Sequence, residues 1–370
     1  MKQGYYLFID NLRGNSLINK IRMQNKVFGS LFLVQECPLK TVREPILLRL
    51  ANILPFCSYR RDYDDALRFI SDPDFLYIRM IYADRAFFSF LNDVKGKYPL
   101  CRIIVEIPTY PYKKEWCSTM YGRFMYLKDV IFRDCYRRHI DRFVTYSYDD
   151  MINGVKTIKT MNGVDVDSFV PVRSARQYNP ECINLIAVAF LMRHHGYERL
   201  IEGMRDYYQE KRDRVVYIHI IGDGKEKKKY ERLIKNYSLD DYIKLYEPMY
   251  GEDLNEMYDN ADAGLSGFGF YKDGVDQVGT LKTREYLAKG LPVILGADDK
   301  VFNTYGYEYG LLFPNDDSPV DIERILSFLD GVYLNGEKKD IIDSIRQFAK
   351  RTVDNTITLA PIIDYINNDD

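Results

Sequence analysis

Short apolar runs alternate with helical spacing twice along this chain, and no other feature constrains its fold as strongly. In the first half the runs fall at 5–10, 31–34, 75–79, 102–106, 143–145 and 155–160. In the second they fall at 184–189, 215–221, 243–246, 263–266, 291–295 and 311–313. Segments with helical periodicity lie between them, at about 16–28, 42–54, 62–70, 86–97, 254–260, 321–329 and 339–350. Strands alternating with helices imply a parallel sheet covered on both faces. The expected fold class is α/β, with two Rossmann-like domains. In such sheets ligands sit beyond the carboxyl ends of the strands.

A length of 370 residues accommodates two domains, each with its own core. The net charge of −2 supplies no overall basic field, so the composition gives no reason to expect a nucleic-acid partner. No run approaches the length of a membrane span and no export signal opens the sequence, so a cytoplasmic location is expected. The six cysteines lack C-x-x-C spacing and read as reduced thiols. The four histidines show no metal-ligand spacing. Asp72-Pro73-Asp74 has the form of a metal-binding pair but precedes a strand, the wrong end for a ligand site. No metal and no cofactor are expected.

The most informative stretch is 278–294. Gly279 and Thr280 form a small-residue turn, Leu281 opens a short helix, Gly290 ends it, and 291–295 reads as a buried strand. Such a helix start presents unpaired N–H groups and a positive dipole end, which suits a phosphate. Lys282 adds a charge there, and Glu285 shares its face three residues on. A cation beside an acceptor suits a diphosphate together with a ribose diol. The same spacing also describes an ordinary surface Lys/Glu pair.

This stretch resembles the donor-binding helix of the retaining glycosyltransferases of family four, in particular the bacterial branch that builds capsular and exopolysaccharides. The resemblance implies the GT-B architecture, two Rossmann-like domains facing a central cleft. It implies that Lys282 contacts the donor diphosphate and Glu285 the ribose, with Gly279, Thr280 and Leu281 lining the donor. The donor would be a UDP-sugar ahead of a GDP-sugar, and the acceptor a polyprenyl-diphosphate-linked glycan, at the inner face of the cell membrane. The family often carries two glutamates spaced E-x7-E. Here Gln277 stands at the first, with Asp273 and Asp276 nearby.

Further candidates follow from the same resemblance. Gly14 lies in the loop after the first strand. Arg193 precedes Gly196 where the family places a phosphate-binding basic residue, and His195 reads as only orienting that loop. Gly222 opens a Gly-Asp-Gly turn. Glu106 ends a strand ahead of the rigid loop Ile107-Pro108-Thr109-Tyr110-Pro111, where family members often carry a histidine that is absent here. Glu106 reads either as an acceptor-side base or electrostatic stabiliser in the cleft, or as a cap on loop N–H groups. Arg79 is a second strand-end candidate. The basic, aromatic segment 119–142 reads either as a helix lying on an anionic membrane, aromatic on one face and basic on the other, or as an amphipathic core helix. The expected domains are 1–170 for the acceptor, 171–350 for the nucleotide-sugar, with 171–181 a polar linker, and 351–370 returning to the first domain. Two alternatives to a transferase remain open, a non-catalytic partner subunit and a sugar-nucleotide epimerase.

Overall fold

The computed structural model describes residues 1–9, 15–40, 54, 62–80, 83–117, 119–173, 177–210, 213–334 and 336–368, without the side chains of 15–17, 114 and 115. Gly14 and all but the last residue of the expected helix 42–54 lie outside the described residues. The chain divides into two compact units, Met1–Met161 with Thr358–Asp370, and Asn162–Ile357.

In the first unit, β1 (Gln3–Ile9), β2 (Leu33–Leu39), β3 (Phe75–Arg79), β4 (Arg102–Ile107), β5 (Arg142–Thr145), β6 (Met151–Ile152) and β7 (Val155–Lys159) form one sheet. Its order is β2-β1-β3-β4-β5-β7-β6, parallel throughout except for the β6–β7 hairpin. Besides a single turn at Lys113–Trp116, the helices are α1 (Asn15–Leu31), α2 (Tyr63–Phe69), α3 (Arg85–Lys97) and α4 (Met120–His139), joined by Ala360–Asn367 from near the chain's end. Alternation along each strand sorts side chains between two cores. Tyr5, Leu7, Leu76, Ile78, Ile103 and Val105 face the side covered by Phe87, Leu91 and Tyr136. Tyr6, Phe75, Tyr77 and Ile104 face the other side, with Ile21 and Phe28 of α1 and with Leu359, Ile362, Ile363 and Ile366 near the chain's end. Every central strand is therefore apolar on both faces.

In the second unit, β8 (Cys182–Val188), β9 (Val215–Ile221), β10 (Ile243–Tyr246), β11 (Ala263–Leu265), β13 (Val293–Leu295) and β15 (Gly310–Leu312) form an all-parallel sheet in the order β10-β9-β8-β11-β13-β15. The two-residue strands β12 (Gln277–Val278) and β14 (Asp298–Asp299) pair separately. The helices are α5 (Glu198–Gln209), α6 (Lys227–Asn236), α7 (Gly251–Asp259), α8 (Leu281–Lys289), α9 (Lys300–Tyr305), α10 (Ile322–Tyr333) and α11 (Lys338–Thr352). Counted from β8, the order is 3-2-1-4-5-6, the doubly wound dinucleotide-binding order, whose winding reverses between β8 and β11.

The change of unit falls at 161/162 rather than near 170. Val164 bridges to Asp354, and its N–H donates to the Val353 carbonyl at 3.0 Å. The stretch read as a linker is tied down as well. Val172 N–H donates to the Lys289 carbonyl at 2.9 Å, and Arg173 N–H to Asp259 at 2.7 Å. Among the described residues no helix is long and apolar enough to cross a membrane. Nor does any group of three or more His, Cys, Asp or Glu there stand ready to hold a metal.

Candidate functional site

The winding reversal places the loops after β8 and β11 side by side in the second unit, and they are bonded together. Phe268 N–H donates to the His195 carbonyl at 2.7 Å and Gly269 N–H to the His194 carbonyl at 3.0 Å. Gly196 adopts φ +59°, and a Cβ there would strike the backbone of Phe268 and Gly269. Only glycine permits this approach. Gly222, at φ +139°, packs as tightly against the Ala189 carbonyl, so the turn after β9 joins the same cluster of strand ends.

His195 is fixed by its own loop. Met192 N–H donates to Nδ1 at 3.0 Å, which makes Nδ1 the acceptor and leaves the proton on Nε2. Burial, reinforced by the neighbouring Lys282 and His194, pushes the imidazole down to about 2, so it stays neutral. Among the described residues Nε2 has no hydrogen-bond partner and remains a donor for a ligand. Arg193 is exposed, and its guanidinium has no hydrogen-bond or ion-pair partner among the described residues.

α8 starts beside these loops. Thr280 caps it, its Oγ1 accepting from Thr283 N–H, which leaves the N–H groups of Leu281 and Lys282 open. Gly290 ends the helix in the left-handed conformation at φ +87°. Lys282 Nζ donates to the buried Tyr197 hydroxyl at 3.0 Å and lies 5.6 Å from that ring's centre. Burial pushes the ammonium down to about 7 against the pull of Glu285. The Glu285 carboxyl is raised by burial, against the pull of Lys282 and Lys289. It has no hydrogen-bond or ion-pair partner among the described residues. Lys282, Glu285, Gly279, Thr280 and Leu281 therefore share one helix start, and His195 and Tyr197 stand beside it.

Sequence reasoning missed a second layer. Arg284 is fully buried and pairs with Asp299, which is buried too. Its Nε donates to the Asn162 carbonyl at 3.2 Å, and the Asn162 amide donates to the Gly279 carbonyl at 2.7 Å. Arg284 and Asn162 thus hold the Gly279–Thr280 turn from beneath. An arginine is seldom wholly buried, so neither composition nor spacing singles this one out.

Glu106 corrects an expectation. It is 0 % exposed and lines no open surface. Its carboxylate meets Arg79 at 2.6 Å and Lys20 at 3.2 Å, and accepts from the Tyr77 and Tyr146 hydroxyls at 2.7 and 2.8 Å and from the Gln24 amide at 3.2 Å. Burial alone would raise its pKa. The two cations and the hydroxyls overcome that and hold it well below the usual carboxylate range. A carboxylate so fully engaged has no lone pair to offer a substrate proton. Its partners are side chains, so it is not a cap on loop N–H groups either. Arg79, the other strand-end candidate, is spent on the same carboxylate.

Residues 176–331 match the family model for glycosyl transferases group 1. Solved structures match over the whole length. Sucrose-phosphate synthase from Thermosynechococcus elongatus is 13% identical, with 99% of this chain and 98% of that one covered at a TM-score of 0.62. HepE of Anabaena in complex with UDP is 12% identical, with 99% of both chains covered at 0.60. The apo lipopolysaccharide outer core galactosyltransferase WaaB is 12% identical, with 99% of both covered at 0.56. The fold is GT-B. The family match lies within the second GT-B unit. No curated protein sequence matches the chain.

Proposed function

We propose that this protein transfers a sugar from a nucleotide diphosphate donor, UDP-linked in the first instance, to a hydroxyl of a lipid-linked glycan, with retention of anomeric configuration. The observation that carries the reading is the start of α8. Two open N–H groups, the Lys282 ammonium and the His195 Nε2 donor converge beside the reversal point of a dinucleotide-type sheet. UDP in the HepE structure and the group 1 family match support the donor class. The resemblance of 278–294 to the capsular polysaccharide branch supports retention and the acceptor class.

The chemistry follows from charge. As the glycosidic C–O bond breaks, negative charge grows on the departing diphosphate. Fixed N–H dipoles and a cation already aimed at it stabilise that charge without reorganisation. Lys282 and the N–H groups of Leu281 and Lys282 supply this, with Arg193 reaching in from the exposed loop. Glu285 takes the ribose hydroxyls. The reaction needs no metal to carry the leaving charge, and Gln277 sits where the sugar's selectivity is set.

Thermal stabilisation by UDP, GDP, ADP and CMP tests the donor site, because a ligand of the native state raises stability by mass action. A shift with UDP that vanishes in Lys282→Ala is expected. No shift with any nucleotide overturns the assignment. Turnover of the sugar nucleotide without acceptor would instead mark an epimerase, and binding without any turnover a non-catalytic subunit. Anomeric analysis of the product by NMR checks retention.

A further inference from the structure

α4 packs inward through Met125 and Tyr136, yet also leaves an apolar stripe outward. Lys128 and Asp129 are both 0 % exposed, whereas Met120, Phe124, Leu127 and Ile131 are 67, 38, 48 and 46% exposed. The polar residues on the inward face are bonded there. Asp129 accepts from the Tyr112 and Tyr136 hydroxyls at 2.7 and 2.5 Å and meets Arg133 at 3.2 Å. The outward residues recur at i, i+4, i+7 and i+11, a single apolar stripe down the helix, with Val130 beside it. A helix covering a soluble domain ordinarily turns a polar face outward, so a second apolar stripe of this length, exposed, marks a surface that meets something apolar.

Charge identifies the partner. The exposed charged residues of α4 are Arg123, Arg137 and Arg138, against Asp134 alone. The asymmetry extends to the whole unit. The first unit carries 26 Lys and Arg against 20 Asp and Glu, the second 26 against 34, within a chain of net charge −2. A positively charged unit with an apolar stripe rimmed by arginines is complementary to an anionic, apolar-centred surface. Two copies meeting through this face would bring like charges together.

We infer that α4 docks the first unit on an anionic lipid surface. Met120, Phe124, Leu127 and Ile131 enter the headgroup boundary, and Arg123, Arg137 and Arg138 lie on the headgroups. This deepens the transfer reading by bringing the enzyme to a lipid-carried acceptor, and only that link rests on it.

Co-sedimentation of the full chain with phosphatidylcholine vesicles, with and without phosphatidylglycerol, tests the inference. Binding is expected to the anionic vesicles, weakening at least tenfold between 50 and 500 mM salt, on the order of what a few screened arginines give. The triple change Phe124→Ser, Leu127→Ser, Ile131→Ser is expected to abolish it, and Arg123→Gln with Arg137→Gln and Arg138→Gln to weaken it severalfold. Both variants should keep the wild-type melting temperature and the UDP-induced shift. Absence of vesicle binding, or equal binding to neutral vesicles, overturns the inference. So does a serine variant that melts well below wild type, which would show the stripe covered by the chain itself. A wild-type dimer made monomeric by the serine variant would assign the face to a second copy. Donor binding is read separately, so a failed docking result leaves the donor site standing, and the reverse.

Discussion

Glu106 is a fully buried charge and Lys282 a half-buried one, and their surroundings give them opposite work. Lys282 has one hydroxyl and a distant carboxylate for company, so it binds its proton less tightly than the 10.5 of an ordinary lysine. Between about 7 and 10.5 the unfolded chain holds this proton and the folded chain does not, so the folding penalty is full below pH 7 and fades as pH rises through that window. Lys282→Met is therefore expected to raise the melting temperature of the free protein at pH 6 and to leave it nearly unchanged above pH 10, while abolishing the UDP shift at both. A diphosphate restores the proton. UDP binding near pH 8 is expected to take up protons and to weaken as pH rises, and calorimetry in buffers of different ionisation enthalpy reads both. Glu106 is the reverse case, an anion with two cations. Glu106→Gln leaves Lys20 and Arg79 buried without their countercharge, and a loss of about 3–5 kcal/mol in denaturant unfolding is expected. Unchanged stability with lost turnover would return Glu106 to the chemistry. Lys282 was legible in the sequence because a helix start advertises itself by Gly279 and Thr280. The burial of Glu106 was not, because Lys20, Tyr77 and Tyr146 come from three separate elements.

At the scale of the element, α8 shows what local sequence specifies well. Its cap, its stop at Gly290 and the strand after it are all written in neighbouring residues. Thr280→Ala is expected to cost about 1 kcal/mol for the lost cap. Gly290→Ala should cost more, since a Cβ there lies 2.5 Å from Ile342 Cγ2 in a left-handed conformation that only glycine adopts freely. What local sequence does not write is how the turn is held. Asn162 lies 117 residues from Gly279 along the chain, and its amide is the strut. Asn162→Ala is expected to weaken UDP binding severalfold in titration calorimetry with little change in melting temperature, whereas Lys282→Ala removes binding altogether. α4 makes the complementary point. Periodicity tells which residues share a stripe, and says nothing about which stripe faces inward. Tyr112, from outside the helix, bonds Asp129 on the inward face, and Tyr136 of the same helix is buried beside it.

At the scale of the whole molecule, the α/β class was legible because strands covered on both faces must be apolar throughout. The strand orders were not, since alternation is the same for every permutation of parallel strands. The orders came from pairing, and pairing located the candidate site beside the reversal between β8 and β11. The first unit's sheet has one face completed by Leu359, Ile362, Ile363 and Ile366. Fully burying such side chains is worth about 1.5–3 kcal/mol each. Removing 358–370 is therefore expected to unfold the first unit, seen as loss of its melting transition, while the second unit, if soluble, keeps its response to UDP.

That closing segment also sets an order of assembly. Residues 1–161 are synthesised before Asn162–Ile357, but their core stays open until the helix Ala360–Asn367 has been made after it. The second unit has its whole sequence in hand earlier. The earlier of the two units is thus the one finished later, and during synthesis it must wait with part of an apolar sheet face uncovered, a task for which chaperones exist.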